Sequence, residues 1–315
     1  MSTPITLALD WTPNTNHIGF YVAIAKGWYR DAGIELIMLS PEEDNYQTTP
    51  AAKVAAGRAL LAIAPSESAL SYHLHPTKPS LVAIAALAQR DTSAIVTLAN
   101  SGIDRPAKLD GRRYASYNAR FERAIVAQMI RNDGGKGEFD EIFPPKLGIW
   151  ETLLTGVADA TWVFMPWEGV QARRAGIALN AFHLDDYGIP YGYTPILLAH
   201  PDALRTHPDA LRALLNATAD GYRFAVHHPD EAVAALVTEA KHPSLQDRDF
   251  VTESLHELAP ALLTADGRWG VMDGQRWQAF VTWLDQQGLI VDRNGQRIPL
   301  APDTYLALFT NELWN

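Results

Sequence analysis

Along the chain, short apolar runs alternate with stretches whose apolar residues recur every three or four positions. Residues 5–10, ITLALD, predict a buried strand. In 17–29, Ile18, Tyr21, Val22, Ala25, Trp28 and Tyr29 fall on one helical face, with Gly33 placed to end the helix. IELIML (34–39) predicts a second strand. TTPAAKVAAG (48–57) predicts a helix with a Thr cap, Pro in its first turn and a terminal Gly. LLAIAP (60–65) predicts a third strand, and 66–74 a helix behind Ser66 as N-cap. Strand-like runs follow at 81–89, 93–100, 113–117, 159–164 and 194–200, with helices at 121–132, near 149–157 and from about 166. Residues 202–312 turn largely helical.

Strands alternating with helices predict an α/β protein of parallel sheets covered by helices. Two such units with a helical C-terminal part predict a bilobal body, and 315 residues suit two domains. Sites in such sheets lie beyond the carboxyl ends of strands. Reading those positions off the chain selects Asp10, Trp11 and Asn14, then Ser66 and Glu67, then Tyr117 and Asn118. Farther on they select Trp162 to Glu168 and Tyr187 to Tyr193. Rings to stack on, amides for paired hydrogen bonds and carboxylates for an amino group suit a planar, polar heterocycle.

Composition removes several functions. There is no cysteine, so disulfides, thiolate nucleophiles and Cys-ligated metals are excluded. The balance of 26 basic to 36 acidic residues, net −10, argues against a nucleic-acid partner. No 18-residue apolar run predicts membrane insertion. The opening MSTPITLALD enters a strand without a basic, then apolar, leader. The expected location is cytoplasmic as written, and periplasmic if a leader has been removed. His73–His75 and His227–His228 lack the spacing and carboxylate partners of a metal site, and no nucleotide-binding glycine loop is present; neither a metal nor a cofactor is expected.

Each candidate also has a structural reading. Asp10 suits a cap of the following turn, and Asn14 and Asn16 are turn formers. His17 suits a helix start, Ser66 an N-cap, and Tyr117 and Asn118 a turn. Tyr191-Gly192-Tyr193 reads as either hinge or site lining. Trp11, directly beyond a buried strand, suits a stacking wall, whereas Trp28 and Tyr29 fit the core.

The motif DWTPNTNH (10–17), with KGWYRDAGIEL, APSE (64–67), DATWVFMPWEG (159–169) and RWGVMDGQRWQAFVTWL (268–284), resembles the thiamine pyrimidine-precursor family of periplasmic-binding-protein folds. That family includes substrate-binding proteins that deliver formylaminopyrimidine to an ABC transporter, and the fungal hydroxymethylpyrimidine phosphate synthases. The resemblance implies a type II bilobal fold with a ligand cleft. Lobe one would be 1–95 plus 195–315, and lobe two 96–194. Trp11, Asn14 and His17 would contribute from lobe one, and Trp162, Trp167 and Glu168 from lobe two. The synthases' lysine and histidine would fall near Ala64 and Ser68, and their cysteine-rich run on 189–193, which holds no thiol. Their glycine-rich phosphate turn would fall near 118–121, where no Gly occurs. Non-catalytic binding of a small heterocycle, a thiamine pyrimidine precursor, is therefore expected, with an ABC transporter permease as the implied partner. Two alternatives stay open. One is a pyrimidine enzyme of the same pathway. The other is a nitrate, sulfonate or aromatic-compound binder, with Arg120 or Arg90 facing its anion.

Overall fold

A computed structural model describes residues 2–144, 147–292 and 294–314. Among the described residues there are ten strands: β1 (Thr3–Ala8), β2 (Ile34–Leu39), β3 (Leu61–Ala64), β4 (Val82–Ala86), β5 (Ser93–Leu98), β6 (Arg113–Ala115), β7 (Asp140–Ile142), β8 (Ala160–Phe164), β9 (Leu179–Phe182) and β10 (Ile196–Ala199). The α-helices run as α1 (Ile18–Ala25), α2 (Trp28–Asp31), α3 (Pro50–Ala55), α4 (Glu67–His73), α5 (Glu122–Asn132) and α6 (Ile149–Thr152). They continue as α7 (Val170–Arg174), α8 (Pro201–Thr206), α9 (Pro208–His227), α10 (Pro229–Ala240), α11 (Arg248–Leu262) and α12 (Gly274–Gln286).

The chain divides into two compact units. The first comprises Met1–Asp91, Gly192–Trp277 and Pro302–Asn315; the second comprises Thr92–Tyr191 and Gln278–Ala301. The first unit is built on a sheet of order β2-β1-β3-β10-β4, the second on β7-β6-β8-β5-β9. Every residue of β3 and β10 is buried, as expected of strands covered on both faces.

Expectation and structure differ in several places, the first being that the short strands β7 and β9 fall outside the strand-like runs of the sequence. The sheets are not wholly parallel: β10 runs antiparallel to β3 and β4, and β5 antiparallel to β8 and β9. The reason is connectivity. A helical crossover returns the chain in the same direction, but β5 opens the second unit and β10 re-enters the first without an α-helix before them. The helix read over 17–29 is broken into α1 and α2 by Gly27, whose φ of 76° lies in the left-handed region. Residues 278–301, assigned from the sequence to the first lobe, group with the second unit. There Phe280 meets Tyr191 edge-on at 5.3 Å, and Arg120 donates to the Val291 carbonyl at 2.9 Å.

In the first unit, α1 crosses α9 with glycine on both sides. A Cβ on Gly221 would lie 2.0 Å from the Gly19 carbonyl oxygen, and one on Gly19 would lie 2.0 Å from the Tyr222 ring. Tyr222 stacks on Trp269 (4.5 Å, 8°) and donates its hydroxyl to the Asn16 carbonyl. Tyr29, expected in the core, is buried and shares a 2.7 Å hydrogen bond with Thr218 of α9. The helix crossing thereby anchors the polar loop that follows β1.

Candidate functional site

Beyond the carboxyl end of β1, the side chains of the opening motif form one network. Asn14 caps the 3-10 turn Thr15–His17, its Oδ1 accepting the Asn16 N–H at 2.8 Å. His17 is completely buried. Its Nδ1 accepts the Asn14 N–H at 3.4 Å, so Nε2 carries the hydrogen and donates to Asp10 Oδ1 at 2.9 Å. Asp10 is therefore not the cap that the sequence suggested; the cap is Asn14, and His17 spends both ring nitrogens orienting the Asp10 carboxylate. That carboxylate keeps 22% of its side-chain surface exposed, which leaves an oxygen for an outside donor. Trp11 is partly exposed and tilts against Tyr46 at 5.2 Å.

Also in the first unit, Ser66 donates its backbone N–H to the Tyr193 carbonyl at 2.9 Å. This brings the β3–α4 turn beside the segment that re-enters the unit. Ser66 precedes α4 but does not cap it: no side-chain cap bond forms, and its buried Oγ has no hydrogen-bond partner among the described residues. Its helical backbone angles, φ −57° and ψ −30°, differ from the extended ones of a capping residue. Glu67 is buried as well. Ala64 ends the buried strand β3, and Ser68 lies in α4.

The Tyr193 hydroxyl accepts the Asp273 N–H at 2.8 Å, and its ring lies 4.3 Å beneath the Arg276 guanidinium. Arg276 donates to the Gly192 carbonyl at 2.8 Å and also to the Gln89 carbonyl. It thus ties together the two segments flanking the unit boundaries at 91 and 192. Sequence reading missed it, because an Arg within a helical run gives no local sign of two distant carbonyl partners. Arg276→Ala should cost about 2 kcal/mol, or roughly 5 °C in melting temperature. Arg276→Lys should recover little of this, since one ammonium lacks the planar fork. Unchanged melting of the alanine variant would rule the clamp out.

In the second unit, β8 runs into a π-helical turn, Met165–Gly169, a form frequent at functional sites. Trp162 and Trp167 are buried on either side of that junction. Trp162 tilts against Tyr191 at 5.4 Å. Glu168 folds back on its own turn, Oε2 accepting the Phe164 N–H at 3.0 Å. Burial pushes its carboxyl from 4.5 up to about 7, more than the backbone donors can offset. Near neutral pH this group is poised between donor and acceptor.

Tyr117 and Asn118 follow β6. Tyr117 is exposed, and Asn118 sits at a left-handed φ of 60°. Beneath them lies Glu122, also missed by sequence reading, although a Glu opening a helix just after a strand end is its local signal. It accepts the Tyr114 hydroxyl at 2.8 Å and the N–H groups of Tyr117 and Ala119. Burial raises its carboxyl above the ordinary range while those donors oppose the shift. Arg120, besides its bond to Val291, lies over the Phe121 ring at 5.2 Å. Arg90 donates to the Pro260 carbonyl at 3.0 Å. Among the described residues no group of three or more His, Asp or Glu is placed to hold a metal, and no helix is long and apolar enough to cross a membrane.

Two mixed five-stranded sheets with one antiparallel strand each, and with aromatic and acidic groups beyond their strand ends, define a periplasmic-binding-protein fold. The periplasmic aliphatic sulphonate binding protein SsuA from Escherichia coli shares that fold, with TM-score 0.65, 12% identity and all of both chains covered. The chain belongs to the family described as NMT1/THI5 like, which matches residues 14–232. It is 26% identical to the formylaminopyrimidine-binding protein of Halalkalibacterium halodurans, over 89% of this chain and 84% of that one. It is also 25% identical to the riboflavin-binding protein RibY of Chloroflexus aurantiacus, over 98% and 85%.

Proposed function

We propose that the protein binds, without transforming it, an aminopyrimidine precursor of thiamine. The observation that carries this reading is Glu168: a part-buried carboxyl near half-ionisation, on the π-helical turn that follows β8 and also carries the buried Trp167. Such a group is costly to keep apolar-bound and unpaired, and an aminopyrimidine supplies both a donor amine and an acceptor ring nitrogen. Within the first unit, Asp10, held by His17, presents a partly exposed carboxylate, and Trp11 a ring face. The similarity to a formylaminopyrimidine-binding protein over most of both chains supports the same ligand class. The sequence holds no thiol for iron, and the resemblance would place the synthases' lysine and histidine near Ala64 and Ser68, which supports binding over catalysis.

In this reading the ligand is handed to an ABC transporter permease, so the protein works on the periplasmic side of the membrane. Isothermal titration with formylaminopyrimidine, aminomethylpyrimidine and thiamine tests the ligand. Heat should appear with at least one of the two pyrimidines, and silence from all three at high micromolar concentration refutes the assignment. Trp11→Ala should weaken the bound pyrimidine about tenfold, the worth of one stacking face at roughly 1–1.5 kcal/mol. Unchanged affinity would remove Trp11 from the site.

A further inference from the structure

The loop after β2 holds two consecutive residues in a backbone conformation that side chains disfavour. Asn45 and Tyr46 lie at φ 51° and 60°, in the left-handed region that residues other than glycine rarely enter. Asn tolerates this region; a bulky Tyr seldom does. Such strain persists only where the surrounding structure over-determines it, and it gathers at functional sites.

Here the restraints are several, and all lie in the first unit. The Asn45 N–H donates to the Glu42 carbonyl at 3.1 Å, and the Tyr46 N–H to the Pro41 carbonyl at 2.9 Å. Ser40 and Glu43 close a capping box on the 3-10 turn Pro41–Asp44. The Lys53 ammonium of α3, its side chain 7% exposed, pairs with the Asp44 carboxylate at 3.4 Å. A buried ammonium tolerates little displacement of its carboxylate, which fixes the residue directly before Asn45. A second tie starts at Glu42, whose Oε2 meets His242 Nε2 at 3.0 Å. His242 Nδ1 in turn meets Ser244 Oγ at 2.8 Å, and Ser244 donates to the Pro13 carbonyl at 3.2 Å. Pro13 belongs to the opening motif, so the loops after β1 and β2 are held to each other.

What this backbone delivers is one ring. Tyr46 meets the Trp11 indole at 5.2 Å with the planes inclined at 54°. It is 42% exposed, too open to serve the core. Burial and the nearby Glu42 and Asp10 carboxylates push its phenol up to about 12, so the ring stays uncharged at neutral pH.

We propose that Tyr46 is a positioning residue for Trp11: the loop of residues 40–48 braces the Tyr46 ring against the indole, fixing the Trp11 face before a planar ligand arrives. The brace concerns the first unit alone; its worth for pyrimidine binding rests on the function proposed above.

Two measurements on the full-length chain separate these parts. The first is fluorine NMR of protein carrying 5-fluorotryptophan, with the Trp11 line assigned as the one lost in Trp11→Phe. The native line should be single and narrow. Tyr46→Ala should shift and broaden it, whereas Tyr46→Phe, which keeps the ring, should leave it near its native position. Asp44→Asn, which keeps both rings but removes the charge facing Lys53, should broaden it too. Thermal melts identify the folded variants. An unchanged Trp11 line in folded Tyr46→Ala overturns the proposal, and an unchanged line in folded Asp44→Asn overturns the part given to the loop.

The second measurement is titration with formylaminopyrimidine. Affinity should fall about fivefold in Tyr46→Ala, the effect of leaving one side chain to be ordered on binding, and stay within about twofold in Tyr46→Phe. Native affinity in Tyr46→Ala overturns the positioning role. So does an equal loss in both variants, which would make the hydroxyl itself a ligand contact. If the native protein binds no pyrimidine, the proposed function fails and the fluorine lines alone decide the role of Tyr46.

Discussion

Glu168→Gln is expected to stabilise the protein and weaken its ligand binding at once. In the unfolded chain this carboxyl ionises near 4.5; in the folded one it holds its proton to about 7. Between those values the folded state carries the extra proton, so stability falls as pH rises, and the full cost is present above pH 7. At about 1.4 kcal/mol per pH unit, the ceiling is about 3 kcal/mol. Glutamine removes that cost and still accepts the Phe164 N–H. Urea denaturation should therefore show a gain of about 2–3 kcal/mol at pH 8 that vanishes near pH 4.5. A gain equal at both values would mean that ionisation is not its source. Affinity for formylaminopyrimidine should fall at least about tenfold, since glutamine cannot ionise to meet the amine. A variant both more stable and a weaker binder is what a strained site predicts.

Gly221→Ala should be the most damaging small substitution in the first unit. The added methyl would meet the Gly19 carbonyl oxygen at 2.0 Å, with the Gly19 carbonyl carbon and Cα also within 3.1 Å. All three are backbone atoms in α1, so no side chain can turn aside and the helices must separate. Separation strains the Tyr222–Trp269 stack and the Tyr222 bond to Asn16. Overpacking against backbone costs about 3 kcal/mol or more, roughly 10 °C in melting temperature for a chain of this size. Ligand affinity should drop too, because Asn16 belongs to the Asn14–His17 turn. Gly274→Ala is the control. Its Cβ would meet nothing nearer than 3.5 Å, and as the first residue of α12 it should change stability by less than about 1 kcal/mol. If both substitutions melt alike, the helix crossing is not as tight as its geometry implies.

Much of this protein was legible in its residues taken in order. Eight of the strands described fall on the apolar runs, while the short β7 and β9 carry no such pattern, and the loops beyond β1, β3, β6 and β8 carry the aromatic, amide and acidic groups that the pattern singled out. These features are local: alternation every second residue, recurrence every third or fourth, and a polar cluster where one period gives way to the other. Asp10 and His17 stood out in the sequence for the same reason, seven positions apart in one loop.

Their roles were another matter. That His17 is sealed and serves Asp10, that Asn14 rather than Asp10 caps the turn, and that Ser66 leaves its hydroxyl uncommitted depend on where neighbouring chain segments lie. The same holds for Arg276 reaching Gln89 and Gly192, for residues 278–301 joining the second unit, and for Gly19 meeting Gly221 about two hundred positions away. The amino-acid order by itself determined most of the strands and helices, and which chemistry stands at their ends, because backbone periodicity and side-chain polarity act over a few residues; the short β7 and β9 are defined only by their sheet partners. Only the tertiary structure decided the antiparallel fourth strand of each sheet, the partner of each buried polar group and the raised proton affinity of Glu168. Those outcomes arise from burial and from contacts between distant segments, and no local pattern encodes either.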